Sequence, residues 1–320
     1  MKNYSQKGWL NILAFIIPYL VVVGLFQYAG MLIAGMNVES SAPRDFDQRL
    51  IIKSFDLIGT CVVLFLFMTF VDKKPFKALG FSISHRSKEI GFGLVLGLLI
   101  MLTGYSVLLG LNEISFVRIR FDGMQLLKSV VFFILVAFIE EMLFRGYILR
   151  NLMLSMNKYI ALLGSSLVFA LMHAFNPNAS MFALFNIFLA GILLGLSYVH
   201  TKNLWFPIAL HFSWNFFQSV FGFNVSGQGF YSVVQFKINT DSSLNGGAFG
   251  FEGSWLSVVI QVLAIIGIAI HFKAKNANGK SIYGKSPMLP AQPALNLGNT
   301  NITSYVSNND VSSIIVWIKE

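Results

Sequence analysis

Charge is scarce in this sequence. Asp, Glu, Lys and Arg make up 12% of its 320 residues, about half the share of a soluble globular chain. So few charges cannot solvate the surface of a soluble protein of this size. Cysteine is scarcer still. Cys61 stands alone, which excludes an intrachain disulfide and any cysteine-built zinc site. A disordered chain is excluded as well, because 32 Phe and 10 Tyr run against that composition. No internal repeat is visible. What is abundant is apolar, with 55% hydrophobic residues and a mean hydropathy of +0.68. This is the composition of an all-α, polytopic integral membrane protein whose first partner is the lipid bilayer. The net charge of +9 would suggest nucleic acid in a soluble chain. In a membrane protein basic residues set topology, and no nucleic-acid partner is expected.

A spanning helix needs about 20 mainly apolar residues. Such runs fall at 9–36, 54–71, 90–112, 129–150, 158–175, 180–200, 203–222 and 254–272, so about eight transmembrane helices are expected. The first run is too long for a cleaved leader and reads as a retained anchor. With the N-terminus inside, fifteen of the 23 Lys and Arg fall on the cytoplasmic side. They are Lys2 and Lys7, five in 72–89, Arg150, Lys158, Lys202 and five beyond residue 272. Seven fall on the other side, and Arg145 lies within a span. The bias predicts cytoplasmic N- and C-termini, in a chain expected in the plasma membrane. Residues 113–128 read as a short mixed loop, 223–253 as a Gly/Ser/Asn-rich external loop, and 273–320 as a mostly disordered cytoplasmic tail. Gly191 and Gly195, at small-xxx-small spacing, read as helix packing.

Ionisable groups inside a span are functional candidates by default. The fourth run carries Glu140, Glu141 and Arg145, the fifth Phe169 and His173, the seventh His211 and Asn215. Successive helical residues turn by about 100°, so Glu140 and Glu141 cannot share a target. Glu141 and Arg145 are i,i+4 neighbours and are expected to pair, leaving Glu140 to face a cavity. Asp56, His85, His200 and His271 fall near span ends or in loops and read as interfacial or solvated.

Three motifs in order, Glu-Glu-x-x-x-Arg at 140–145, Phe-x-x-x-His at 169–173 and His-x-x-x-Asn at 211–215, resemble the CAAX-processing and bacteriocin-processing (CPBP, or Abi) intramembrane endopeptidases. That family includes type II CAAX-prenyl proteases and bacteriocin self-immunity proteins. The resemblance covers roughly residues 125–222, the four-helix catalytic core of the family formed by helices 4–7. Residues 1–124, with helices 1–3, and 223–272, with the external loop and last span, lie outside it.

The resemblance implies hydrolysis of a peptide bond in a peptide or protein substrate, prenylated CAAX proteins being one precedent. By spacing and by similarity, Glu140 and His173 form the water-activating pair, while His211 and Asn215 are suited to donate to the oxyanion. Glu141, Arg145 and Phe169 support them. The cofactor is open. No metal is favoured, and zinc would take Glu140, His173 and His211. The chain lacks the His-Glu-x-x-His helix of common zinc proteases. Two other readings stand beside the protease: a non-catalytic bacteriocin-immunity or interaction protein, and a proton-coupled transporter. Counting rise along the runs puts His173 too deep to meet Glu140. The expected remedy is a fifth helix entering the membrane nearer residue 162, with the three side chains meeting in a cavity open to the cytoplasm.

Overall fold

A computed structural model describes residues 7–36, 44–240 and 242–277. The expected tail lies, from residue 278, outside the described residues. Eight helical rods run through the rest: α1 (Lys7–Ile33), α2 (Phe46–Leu66), α3 (Ser87–Gly110), α4 (Gly123–Glu141), α6 (Lys158–Met172), α7 (Met181–Thr201), α8 (Trp205–Val220) and α9 (Trp255–Ala277). The α4 rod does not stop at Glu141. It passes through a π-helix at Met142–Leu149 into a short α5 (Arg150–Ser155).

Polar caps set where most of the rods begin. Asp45 and Gln48 form a reciprocal capping box on α2. Asp122, Asn157 and Ser180 each accept a backbone N–H at the start of α4, α6 and α7. Such caps satisfy donors that a helix start leaves unpaired. Close approach is supplied by small residues. A Cβ on Gly97 would lie 2.7 Å from Ser213 Cβ on α8, and one on Gly191 would lie 2.8 Å from Ser166 Cβ on α6. The Gly191 contact is helix packing, as the spacing predicts.

Contacts between connections define two ends of the bundle. At one end Asp72 takes Arg150 at 2.7 Å and Asn11 at 2.7 Å, the Leu204 N–H reaches the Gly80 carbonyl, and Asn203 reaches Ser82. At the other end β1 (Ile114–Ile119) pairs antiparallel with β2 (Val234–Ile238), and Arg49 donates to the Gly229 carbonyl. The fold is all-α as expected, with one small two-stranded ribbon added to it. The described residues of 223–253 fold back on the bundle.

The count of eight spans is also corrected. By length and composition five helical stretches can cross a membrane: Lys7–Ile33, Phe46–Val71, Ser87–Gly110, Met181–Thr201 and Trp255–Ala274. The α4 rod carries too much charge, and α6 and α8 have 15 and 16 residues. At about 1.5 Å per residue they reach about 22 and 24 Å, short of a hydrocarbon core about 30 Å thick. Beyond α6, Phe175 in the connection to α7 (97%) and Met181 at the start of α7 (83%) are exposed.

The described Lys and Arg of the 72–89 segment, with Arg150, Lys158 and Lys202, gather at the end away from the ribbon, the end that the sequence expectation puts on the cytoplasmic side. In a Cys61→Ser background, a membrane-impermeant thiol reagent applied to intact cells should label Ser243→Cys and miss Ser84→Cys. The opposite labelling pattern would invert the topology.

Candidate active site

The rod α4–α5 carries its charges through the middle of the bundle. Every residue of the π-helix 142–149 is buried, and π-helical turns of this kind concentrate at functional sites. Glu141 is fully buried, and its Oε1 accepts from Arg145 Nη1 at 2.8 Å and meets His211 Nδ1 at 2.8 Å. Arg145 also donates to the Gly191 carbonyl of α7 at 3.2 Å and lies 4.5 Å over the Phe169 ring. Phe169 in turn packs edge-on against Phe144 and beside His173. The Glu141–Arg145 pair forms as the i,i+4 spacing predicts.

Glu140, one residue earlier, points the other way. It lines a cavity of about 290 Å³ together with His173, His211 and Asn215. Its Oε2 lies 3.8 Å from His211 Nε2 and 4.0 Å from His173 Nε2, and it has no hydrogen-bond partner among the described residues. Both imidazoles are oriented from behind. His173 Nδ1 sits 2.8 Å from the Phe169 carbonyl. A carbonyl only accepts, so Nδ1 bears the proton and Nε2 presents a lone pair. His211 Nδ1 faces the Glu141 carboxylate, which fixes its tautomer in the same sense. Separations of 3.8 and 4.0 Å are too long for direct hydrogen bonds and suit one shared water. Asn215, one turn along α8, has no hydrogen-bond partner among the described residues and lines the same space.

Glu140 and His173 meet without the remedy that the depth count calls for. Asn157 caps α6, which starts at Lys158, not nearer residue 162. The missing length is in the preceding rod, which continues to Ser155. Glu140 lies 16 residues before Met156 and His173 lies 16 after Asn157, so the hairpin sets them level. The cavity also takes in residues from beyond the matched helices. Its far wall is Ser226, Gln228, Phe230 and Glu252, from the ribbon end and not from the Lys-rich end.

Asp56 and His200 are misplaced by the sequence reading as well. Asp56 is buried, paired with Lys53 at 2.8 Å, and both line the cavity. His200 is buried and stacks on Phe272. Glu252 escapes the sequence reading altogether. It is 6% exposed, and its Oε2 accepts from Ser226 N at 2.7 Å and from Ser226 Oγ at 2.8 Å. Burial pushes its carboxyl up, against the opposing hydrogen bonds from Ser226. The signal available was an isolated acid in the Gly-rich run before α9.

Two imidazoles and a carboxylate are donor types that zinc accepts, but ligands about 2.0 Å from one zinc lie only about 3.3 Å apart. No three His, Cys, Asp or Glu side chains among the described residues close on one such point. As placed, the set does not fit the metal, and no step below is routed through one.

Fold and site define an integral membrane protein, a helical bundle that buries a Glu–His–His–Asn cavity between its rods. Residues 122–217 match the family described as type II CAAX prenyl endopeptidase Rce1-like. All seven motif residues fall inside this stretch, whereas Lys53, Asp56 and Glu252 fall outside. No curated protein matches the chain.

Glu141→Gln should cost about 3–5 kcal/mol, because it leaves the buried Arg145 and His211 without their anionic partner. Glu140→Gln, in a cavity wall, should leave the unfolding midpoint near wild type. Thermal unfolding in detergent compares the two, and equal midpoints would refute the division of roles.

Proposed function

We propose that the chain is a membrane-embedded endopeptidase, with Glu140 as the general base that activates water for attack on a peptide bond. The observation that carries this reading is the single unpartnered Oε2 of Glu140 facing two imidazole Nε2 atoms at 3.8 and 4.0 Å. The family match over 122–217 supports it.

In this reading a water sits between Glu140 and His173, within the one-water reach that general-base catalysis needs. As the water attacks the substrate carbonyl, Glu140 takes its proton, and His173 Nε2 accepts the water's second hydrogen and holds its orientation. Negative charge develops on the carbonyl oxygen. Asn215 Nδ2 donates to it. His211 joins from Nε2 once that nitrogen is protonated, the Glu141 carboxylate stabilising the resulting imidazolium from Nδ1 as the buried Asp does in a hydrolase triad. Glu140 then returns its proton to the leaving amine. Arg145 pairs with Glu141 and holds the end of α4 against α7. Phe169 provides the carbonyl that orients His173 and the ring that covers Arg145. The substrate is a peptide or protein, and prenylated C-terminal peptides are the first class to test.

Cleavage of a prenylated reporter by purified protein in nanodiscs tests the reading. Glu140→Gln and His173→Ala should abolish turnover, and Asn215→Ala should lower kcat by about 10²–10³-fold. Full activity in Glu140→Gln would end this mechanism. Incubation with a strong chelator should leave turnover unchanged, and recovery only on adding zinc back would replace the metal-free scheme.

A further inference from the structure

Buried carboxylates in this protein come with cations. Asp56 is held by Lys53, Asp72 by Arg150 and Glu141 by Arg145, at 2.8, 2.7 and 2.8 Å. Glu252 is the exception. It is as buried as Asp56 and lines the catalytic cavity, yet no Lys, Arg or His lies within ion-pair distance of it among the described residues. The nearby His173 has Nδ1 committed to Phe169 and Nε2 turned toward Glu140. Two hydrogen bonds from Ser226 steady the carboxylate at Oε2, and the Gln218 side chain and the more distant His173 add to them, all without a Lys or Arg. A buried charge without a partner is costly, and proteins pair it or neutralise it.

The placement of Glu252 is built by its surroundings. Gly250, at φ 100°, packs so tightly that a Cβ would collide with the Asn224 carbonyl, and a Cβ on Gly227 would collide with that of Pro177. The Gly227 N–H reaches the Phe249 carbonyl at 2.8 Å. The turn carrying Glu252 is thus stitched to 224–228, and that strap is stitched to the connection that follows His173. Phe230, at the end of the strap, is packed against Phe132 and Phe133 and covered by Arg49. The carboxylate is held at the cavity wall by backbone contacts on both sides.

Resting on the endopeptidase reading, we propose that Glu252 is a specificity-determining residue that takes a basic side chain of the substrate, lysine or arginine near the scissile bond, as its counter-ion. The cavity otherwise favours such a group, since Glu140 is a second carboxylate on its wall and the one lysine there, Lys53, is matched by Asp56. The remaining carboxyl capacity of Glu252 suits a charge-assisted hydrogen bond. Because Glu252 lies outside the matched segment 122–217, the preference belongs to this chain's own cavity wall.

The test uses the full chain in nanodiscs and N-acetylated peptides carrying lysine, or its neutral ε-acetyl form, at each position in turn. Binding is read in the Glu140→Gln protein and hydrolysis in the wild type. At one position lysine should bind at least about tenfold more tightly than acetyl-lysine, and adding Glu252→Gln should bring that ratio within about twofold of unity. No charge preference at any position, or a preference that Glu252→Gln leaves intact, would overturn the proposal. The first comparison needs no change at residue 252, so it stands even where that variant fails to fold. Selective binding without wild-type hydrolysis would keep the charge selection and remove the endopeptidase reading. Hydrolysis without selection would do the reverse.

Discussion

A carboxylate sealed from water has to find its partners inside the protein, and Glu141 finds two. Arg145 returns to it along the same rod, and His211 reaches it from α8. Arg145 extends the anchor to the Gly191 carbonyl on α7 and to the Phe169 ring on α6. One buried anion therefore fixes the rotation of four helical elements at once. The orientation of His211, the direction of Glu140 and the packing of the helix that ends in His173 all depend on it. Replacing such a group by one of similar shape strands its partners, which is why a buried pair specifies geometry even where its net contribution to stability is small.

Much of this was legible in the sequence because it is local. A turn of about 100° per residue separates Glu140 from Glu141 and pairs Glu141 with Arg145, and apolar runs locate the rods to within a few residues. The failures have physical causes. Arg150 looks like the charged end of a span, but Asp72 neutralises it and the helix continues to Ser155. Asp56 looks interfacial because the rod that covers it lies far away in sequence. The ribbon pairs Ile114 with Ile238 and Ile119 with Val234, and no periodicity within either loop announces a partner that distant. Glu252 was hidden for the same reason.

The cavity is thus assembled from two sources. The reacting groups proposed here come from one contiguous stretch of chain, 122–217, where helical spacing governs what can face what. The opposite wall comes from α2 and from the strap and turn beyond α8, where glycines and side-chain caps govern the path. Chemistry and selectivity can therefore vary separately, since the wall can change its charge without disturbing the Glu141 anchor.

The shortness of α6 reaches beyond the protein. A helix about 22 Å long followed by a connection that exposes Phe175 presents the surrounding lipid with too little apolar height. Lipids accommodate such mismatch by thinning. A bilayer that thins to match α6 leaves a shorter column of hydrocarbon beside His173 than along the bundle's longer rods.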